Sequence, residues 1–356
     1  MTIIGAGVTG LAIASALRRY LGSAVALDIL EAADHAGGMI SGVELAGITV
    51  DPAADAIAAT PESLTAQMRT VGVDLPVVRP NGAPQQLVPR DRGIVLGDVC
   101  GGTREVVGIS GGMWRLAAEL IGVAGPIRCG APVVHLRPAG REWVTSLADG
   151  TEIVADAVVV AVPPGAARQI LRDVCLYSQS SFAPRQAVLL AYEHEHVPMN
   201  RSTGFLRPAA LRESTPVTGL TWIDVKWPAA VTRPKLAVAR AVLDRPQNAW
   251  TGQQLVAAAA TLVADLWGIE GPPVDANAIS WPEALPATPQ PAVRAPRQPM
   301  PGLMLSGSAC GVTGIIGCLD DAAGAAGHLL SALGEDARRA ALGSVGGGRT
   351  RARPRC

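Results

Sequence analysis

The sequence predicts an α/β fold of two domains, one built on a parallel sheet flanked by helices and the other mostly β. Three observations carry this. Residues 2–31 read as strand, glycine-rich turn, helix and strand. Residues 157–162 are wholly apolar and stop at Pro163-Pro164, as a strand buried on both faces does at its carboxyl end. Residues 184–245 instead alternate in hydropathy, the pattern of a sheet with two unlike faces. A length of 356 residues suits two domains and a large core. With 49 % hydrophobic residues but only 3 % aromatic ones, that core must be built mainly from Ala, Val, Leu and Ile.

The elements follow in order. Thr2 to Ile4 form the first strand, 5–10 a turn, 11–21 a helix and 25–30 a second strand that ends at Glu31. Residues 61–71 read as a helix with Thr60 as N-cap and Pro61 in the first turn. Residues 76–97, rich in Pro and Gly, are expected to form loops with a short strand or two. A helix over 112–123 precedes a small antiparallel meander: 133–136, 143–147, a turn at Asp149-Gly150, then 151–154. Beyond the alternating region come a helix over 251–266, a strand over 302–306 and a last helix over about 317–333. Residues 334–356 are rich in Gly and Arg, cannot bury apolar surface and are expected to be disordered. There is no internal repeat.

Composition excludes several function classes. Acidic and basic residues balance at 30 each, which removes the electrostatic argument for nucleic acid or an anionic membrane as partner. Six cysteines without a C-x-x-C pair suggest neither a zinc site nor a disulfide framework, and a reducing cytoplasm is expected. The apolar N-terminus is interrupted by Gly5, Gly7 and Gly10 and followed by Arg18 and Arg19, unlike a signal sequence. The longest apolar stretch, 303–330, is cut by Asp320 and Asp321, so no spanning helix and no stable membrane anchor are expected.

Gly5-Ala6-Gly7-Val8-Thr9-Gly10 fits G-x-G-x-x-G. The first glycine permits a tight turn, the second lets backbone approach a pyrophosphate, and the third packs helix on strand with the helix N-terminus facing the anion. Glu31 stands 21 residues past Gly10 at the end of the next strand, where a carboxylate accepts hydrogen bonds from ribose hydroxyls. This is a Rossmann-type dinucleotide unit. Near the other end, strand 302–306 runs through Gly307-Ser308-Ala309-Cys310-Gly311-Val312-Thr313-Gly314-Ile315-Ile316-Gly317 into a helix. Such a turn gathers unpaired N–H groups and the positive end of a helix dipole at one point.

After Glu31 comes Ala32-Ala33-Asp34-His35-Ala36-Gly37-Gly38-Met39, and this segment resembles the flavin amine oxidase superfamily: a glutamate, an acidic residue, a basic residue and a Gly-Gly doublet close to the cofactor. Further segments narrow the resemblance to the protoporphyrinogen and coproporphyrinogen oxidase branch: 47–55, with Asp51 and Asp55; Gly111-Gly112-Met113-Trp114-Arg115-Leu116; 204–208; Thr221 to Pro228; and Trp281 to Pro286. The resemblance covers most of residues 1–333. It implies an amine oxidase or glutathione-reductase-like fold, with FAD held by Gly5, Gly7, Gly10, Glu31, Gly37, Gly38 and Met39 at one end, Val133 against the adenine, and Gly307, Gly314, Ile315 and Ile316 at the other. The implied activity is that of an FAD-dependent oxidase of a small molecule, a porphyrinogen foremost, with hydride passing to the flavin and O₂ as acceptor. The division expected is an FAD domain of 1–60, 101–170 and 285–333, and a substrate domain of 61–100 and 171–284.

The chain departs from that branch in three places. His35 stands where an arginine is usual, and only Asp98 to Ser110 fill the position of a long helical insertion that roofs the substrate cavity and contacts membranes. Pro80 to Pro89 is too abbreviated to place the arginine that meets a porphyrinogen carboxylate. A flavin amine oxidase or desaturase for another small molecule, or a shortened non-catalytic FAD-binding relative, are therefore alternatives. No catalytic residue and no metal site can be named. His194 and His196 alternate on an expected strand and read as a solvated edge, Cys310 and Cys318 as small-residue substitutes in the turn, and Lys226 as either a ligand contact or a salt-bridge partner.

Overall fold

A computed structural model describes residues 1–22, 24–82, 85–90, 93–98, 105–174, 182–208, 216–243, 250–286 and 297–332, with the backbone alone for 85–90 and 93–98. The tail expected at 334–356 lies outside the described residues, as do Cys100, Cys175 and Cys356.

The parallel sheet has four strands in the order Leu303–Leu305, Val158–Val160, Thr2–Ile4, Asp28–Leu30. Thr2–Ile4 is central and buried throughout, which is why its residues carry no polar alternation. Helix Val8–Leu21 lays Leu11, Ile13 and Leu17 into a core shared with Leu116 and Leu120 of helix Trp114–Ala124 and Leu319, Ala322 and Ala326 of helix Ile315–Ala332. The second strand is shorter than the expected 25–30, because Val25 and Leu27 pack against that core ahead of the pairing. Strands Val133–Ala139, Glu142–Leu147 and Glu152–Ala155 form the meander.

Helix Pro61–Thr70, assigned from sequence to the substrate domain, instead buries Leu64 and Met68 in the core of the dinucleotide unit; its burial is apolar and long-range, and no local signal revealed it. Thr60 caps it, its Oγ1 accepting from the Ser63 N–H at 3.2 Å.

The second sheet has seven strands: Asp275–Pro286, Phe182–Glu193, Leu236–Leu243, Val217–Trp222, Gly204–Leu206, Gln85–Arg90 and Gly93–Asp98, antiparallel except where Gly204–Leu206 meets Gln85–Arg90. One face packs Val188, Leu190, Ala239 and Ala241 on Leu255, Ala259 and Val263 of helix Gly252–Trp267, which starts in a capping box at Thr251 and Gln254. The other face, with Leu189, Ala191 and Val238, packs on Trp227 and on Leu45, Ile48 and Val50 of a hairpin whose strands are Val43–Leu45 and Ile48–Val50. That face looks toward the dinucleotide unit. Trp281–Pro286, expected as an approach to the last parallel strand, is the end of the long edge strand.

His194 and His196 are not on a strand. Pairing ends at Glu193 opposite Leu236, the His194 N–H donates to the Lys235 carbonyl at 2.8 Å, and His194–His196 turn as a 3₁₀ segment. Between Gly93–Asp98 and Trp114–Ala124 the described residues hold only the short strand Gly108–Ile109, and the intervening chain is too short for a helical roof. Among the described residues, no helix is long and apolar enough to cross a membrane.

Candidate functional site

The N-terminal turn is held mainly by backbone. The Gly5 N–H donates to the Leu30 carbonyl and the Gly37 N–H to the Ala6 carbonyl, both at 2.8 Å, and Gly7 bridges to Gly37. The glycines differ in what surrounds them. A Cβ at Gly10 would lie 1.9 Å from the Gly5 carbonyl oxygen, so this position joins helix to turn. Gly5 has φ +99° with the Ala161 oxygen 2.7 Å from a virtual Cβ. Gly7 has no heavy atom within 4 Å of such a Cβ. The open space lies at the one glycine whose role is to admit a ligand, beside a helix N-terminus with unpaired N–H groups.

That space belongs to a cavity of ≈ 700 Å³ between the two sheets. Gly5, Gly7, Glu31, Gly38, Met39, Val133, Gly314 and Ile315 line it. Gly10, Gly37, Gly307 and Ile316 do not: Gly37 pairs with Gly7, Gly307 packs against Thr9, and Ile316 rests on the apolar core. The two glycine turns, far apart in sequence, thus meet one cavity. Glu31 reaches back to the turn, accepting from the Ala6 N–H at 2.7 Å and the Ala33 N–H at 3.0 Å, which fixes its carboxylate at the cavity edge. His35 is exposed and pairs with Asp34 at 2.6 Å.

The C-terminal turn is held by a side chain that the sequence did not reveal. Buried Asp321, on the helix that follows, accepts from the Ser306 hydroxyl and from the Gly307 N–H at 2.8 Å, and Arg297 approaches its other oxygen at 2.6 Å. A Cβ at Gly314 would meet nothing within 4 Å, so this turn too opens on the cavity at the start of a helix. Cys310 is buried and donates its thiol to the Leu305 and Gly307 carbonyls, as a small polar filler would. Cys318 lines the cavity, and burial raises its thiol pKa, which leaves it protonated.

The opposite wall comes from the seven-stranded sheet: Phe182, Ala187, Val242, Trp281 and Leu285, with Arg185, Gln186 and Glu283 as its polar members. Glu283 is committed, both its oxygens accepting from the Gly165 N–H, at 3.0 and 2.7 Å, at the start of helix Pro164–Leu171. Ala53 and Ala54 complete the wall. They are fixed by two acids from the segment 51–55. Asp51 caps helix Trp114–Ala124, accepting from the Met113 and Trp114 N–H groups at 2.7 Å each, and burial pushes its carboxyl up to about 6. Asp55 is buried too, but Arg240, Lys226 at 2.8 Å and the Trp227 Nε1–H at 2.8 Å override the burial and hold it well below the usual carboxylate range. Lys226 is therefore an ion-pair partner and does not line the cavity.

The residues present fit a flavin dinucleotide: two ligand-open glycine turns at helix N-termini, a fixed carboxylate after the second strand, and an apolar wall. Sequence reading found the turns and Glu31 but missed Arg185, Gln186 and Glu283. Trp281 hinted at the strand of Glu283, while Arg185 and Gln186 lie on the neighbouring strand Phe182–Glu193, and the approach of all three to the cavity depends on how these strands pair. No cluster of three or more metal-binding side chains occurs among the described residues.

Comparison with known proteins agrees with this geometry. Residues 3–69 match the NAD(P)-binding Rossmann-like domain, and residues 94–330 match the family described as flavin containing amine oxidoreductase. A search of curated proteins gave no match. Among solved structures, a protein from Exiguobacterium sp. 255-15 provisionally designated a protoporphyrinogen oxidase superposes with a TM-score of 0.74 at 17 % identity, covering 92 % of this chain and 98 % of that one. Cyclohexylamine oxidase from Brevibacterium oxydans IH-35A gives 0.69 at 14 % identity, covering 93 % and 98 %. Wild-type putrescine oxidase bound to putrescine gives 0.67 at 13 %, covering 93 % and 98 %. At these identities the likeness is one of fold.

Proposed function

Because the chain belongs to the flavin containing amine oxidoreductase family, we propose that it binds FAD in the cavity between its sheets and oxidises a porphyrinogen there. The observation that carries this reading is the single cavity lined by both glycine turns, with open space above Gly7 and Gly314. When bound, the flavin supplies the redox chemistry, accepting hydride from a substrate C–H bond and passing electrons to O₂.

The chain's own residues bind, orient and exclude water. The turn from Gly5 to Gly10 and the N-terminus of helix Val8–Leu21 receive the pyrophosphate, and Glu31 keeps lone pairs for ribose hydroxyls beyond its two backbone partners. Val133 offers apolar contact to the adenine. The start of helix Ile315–Ala332 opens on the same cavity, where its dipole would stabilise negative charge developing on a bound flavin. Phe182, Val242, Trp281 and Leu285 make a water-poor wall for a flat apolar substrate.

A flavin oxidase or desaturase for another small molecule is the second reading, favoured by the brevity of 98–110 where porphyrinogen oxidases carry a roof. The separating experiment is anaerobic addition of coproporphyrinogen or protoporphyrinogen to the FAD-loaded protein, beside putrescine and cyclohexylamine. Bleaching of the visible flavin absorption is expected without oxygen, and porphyrin fluorescence once O₂ is admitted to reoxidise the flavin through the three two-electron steps that a porphyrin requires. Bleaching by an amine alone would replace the reading with the second one, and loading with no reduction by any donor would leave a non-catalytic FAD-binding relative.

A further inference from the structure

Thr9 stands in the first turn of helix Val8–Leu21, lines the cavity and is only 5 % exposed. Its side chain fills the space where Gly307 would carry a Cβ: that atom would overlap the Thr9 Oγ1 and lie 2.9 Å from its Cβ and Cγ2. The Cys318 thiol, in the first turn of helix Ile315–Ala332, stands beside the Thr9 hydroxyl and lines the same cavity. Asp321 of that helix accepts from the Gly307 N–H. The first helix through Thr9, the second glycine turn through Gly307 and the last helix through Cys318 and Asp321 therefore meet at one point between the two turns. Farther from the cavity the two helices share one apolar core, with Leu11 and Ile13 on one side and Leu319 and Ala322 on the other. At the cavity end their separation falls to the volume of the Thr9 side chain, because a close-packed interior transmits the loss of even one methyl group to its neighbours.

We propose that Thr9 is a positioning residue: the size of its side chain sets the distance between the two glycine turns, so that the starts of helices Val8–Leu21 and Ile315–Ala332 meet one bound dinucleotide together. Gly307, which does not line the cavity, then serves the site as the seat for Thr9. The inference rests on the cavity being the FAD site. Trimming Thr9 lets the second turn shift against the first and moves the last helix's dipole off its place at the flavin. Reduced flavin carries the greater negative charge and loses more by that shift than oxidised flavin does, so its midpoint potential falls.

The test compares Thr9→Ala, which removes the side chain that touches Gly307, with Thr9→Val, which keeps its shape. The readouts are the melting curve of the apoprotein, the Kd for FAD by flavin fluorescence, and the midpoint potential of the bound flavin. For Thr9→Ala the expected result is a folded apoprotein, an FAD affinity weakened by about tenfold and a lowered potential, with both values returned toward wild type in Thr9→Val. A wild-type affinity in Thr9→Ala overturns the proposal. So does a weakened affinity at an unchanged potential, which would place the loss at the first turn alone, or a Thr9→Val protein as impaired as Thr9→Ala, which would assign the effect to the hydroxyl. Should Thr9→Ala not fold or not hold flavin, Thr9→Ser, which removes only the methyl group, carries the same comparison. A wild-type protein that binds no FAD would instead overturn the functional reading itself.

Discussion

The two glycine turns at the cavity look alike in sequence and are held in different ways. The turn at Gly5–Gly10 is closed mainly by backbone pairs, Gly5 to Leu30 and Gly37 to Ala6, with the Glu31 carboxylate added on the Ala6 N–H. The turn from Gly307 depends on the buried Asp321 carboxylate, with Arg297 as its counter-charge. The first is rigid because no side chain fits its close approaches; the second is rigid because a charged group is fully satisfied.

This difference can be broken from either side. Gly10→Val should have the largest effect: with the Gly5 oxygen 1.9 Å from the new Cβ, helix and strand must separate, and loss of soluble protein or a destabilisation beyond about 4 kcal/mol is expected in denaturant melts. Asp321→Ala leaves Arg297 with only the residue 321 carbonyl and the Gly307 N–H and Ser306 hydroxyl without their acceptor, and should cost about 2–3 kcal/mol. A melt within experimental error of wild type would show that the second turn is also held by its backbone.

The acids of the wall extend the contrast. Asp51 has its pKa raised to about 6 by burial, so the native state binds its proton more tightly than the unfolded chain. Its contribution is therefore greatest below about pH 4 and falls by about 3 kcal/mol as pH rises through 6. In the difference between wild type and Asp51→Asn, relative wild-type stability should decline between those pH values; a flat difference would refute the burial argument. Glu283→Ala removes the acceptor at the start of helix Pro164–Leu171 and should cost about 1–2 kcal/mol in thermal melts.

Legibility from sequence followed the range of the interactions. The first strand, turn and helix, Glu31 and the Thr60 cap rest on neighbours within a few residues or one βαβ unit, and hydrophobic period and glycine spacing reveal them. The two histidines misled because alternation in His194–His196 persists past the residue where pairing stops. Helix Pro61–Thr70 read correctly as a helix, but which core receives Leu64 and Met68 is a tertiary fact. Asp55 with Arg240, Glu283 with Gly165 and Asp321 with Gly307 join residues from separate elements, and nothing in the local pattern pairs them. For Lys226 the sequence left two roles open, and only the position of Asp55 decided between them.

The smallest expected effect on folding is the most direct test of the site. Gly7→Ala places its Cβ in space that no protein atom occupies within 4 Å, so the melting temperature of the apoprotein should change little. The decisive measurement is the visible absorption spectrum of both proteins after incubation with FAD and removal of the unbound cofactor. Retained flavin bands in wild type, lost or strongly reduced in Gly7→Ala, are the predicted result. A wild-type protein that stays colourless, or a Gly7→Ala variant that retains flavin as wild type does, would contradict a dinucleotide seated on the first glycine turn.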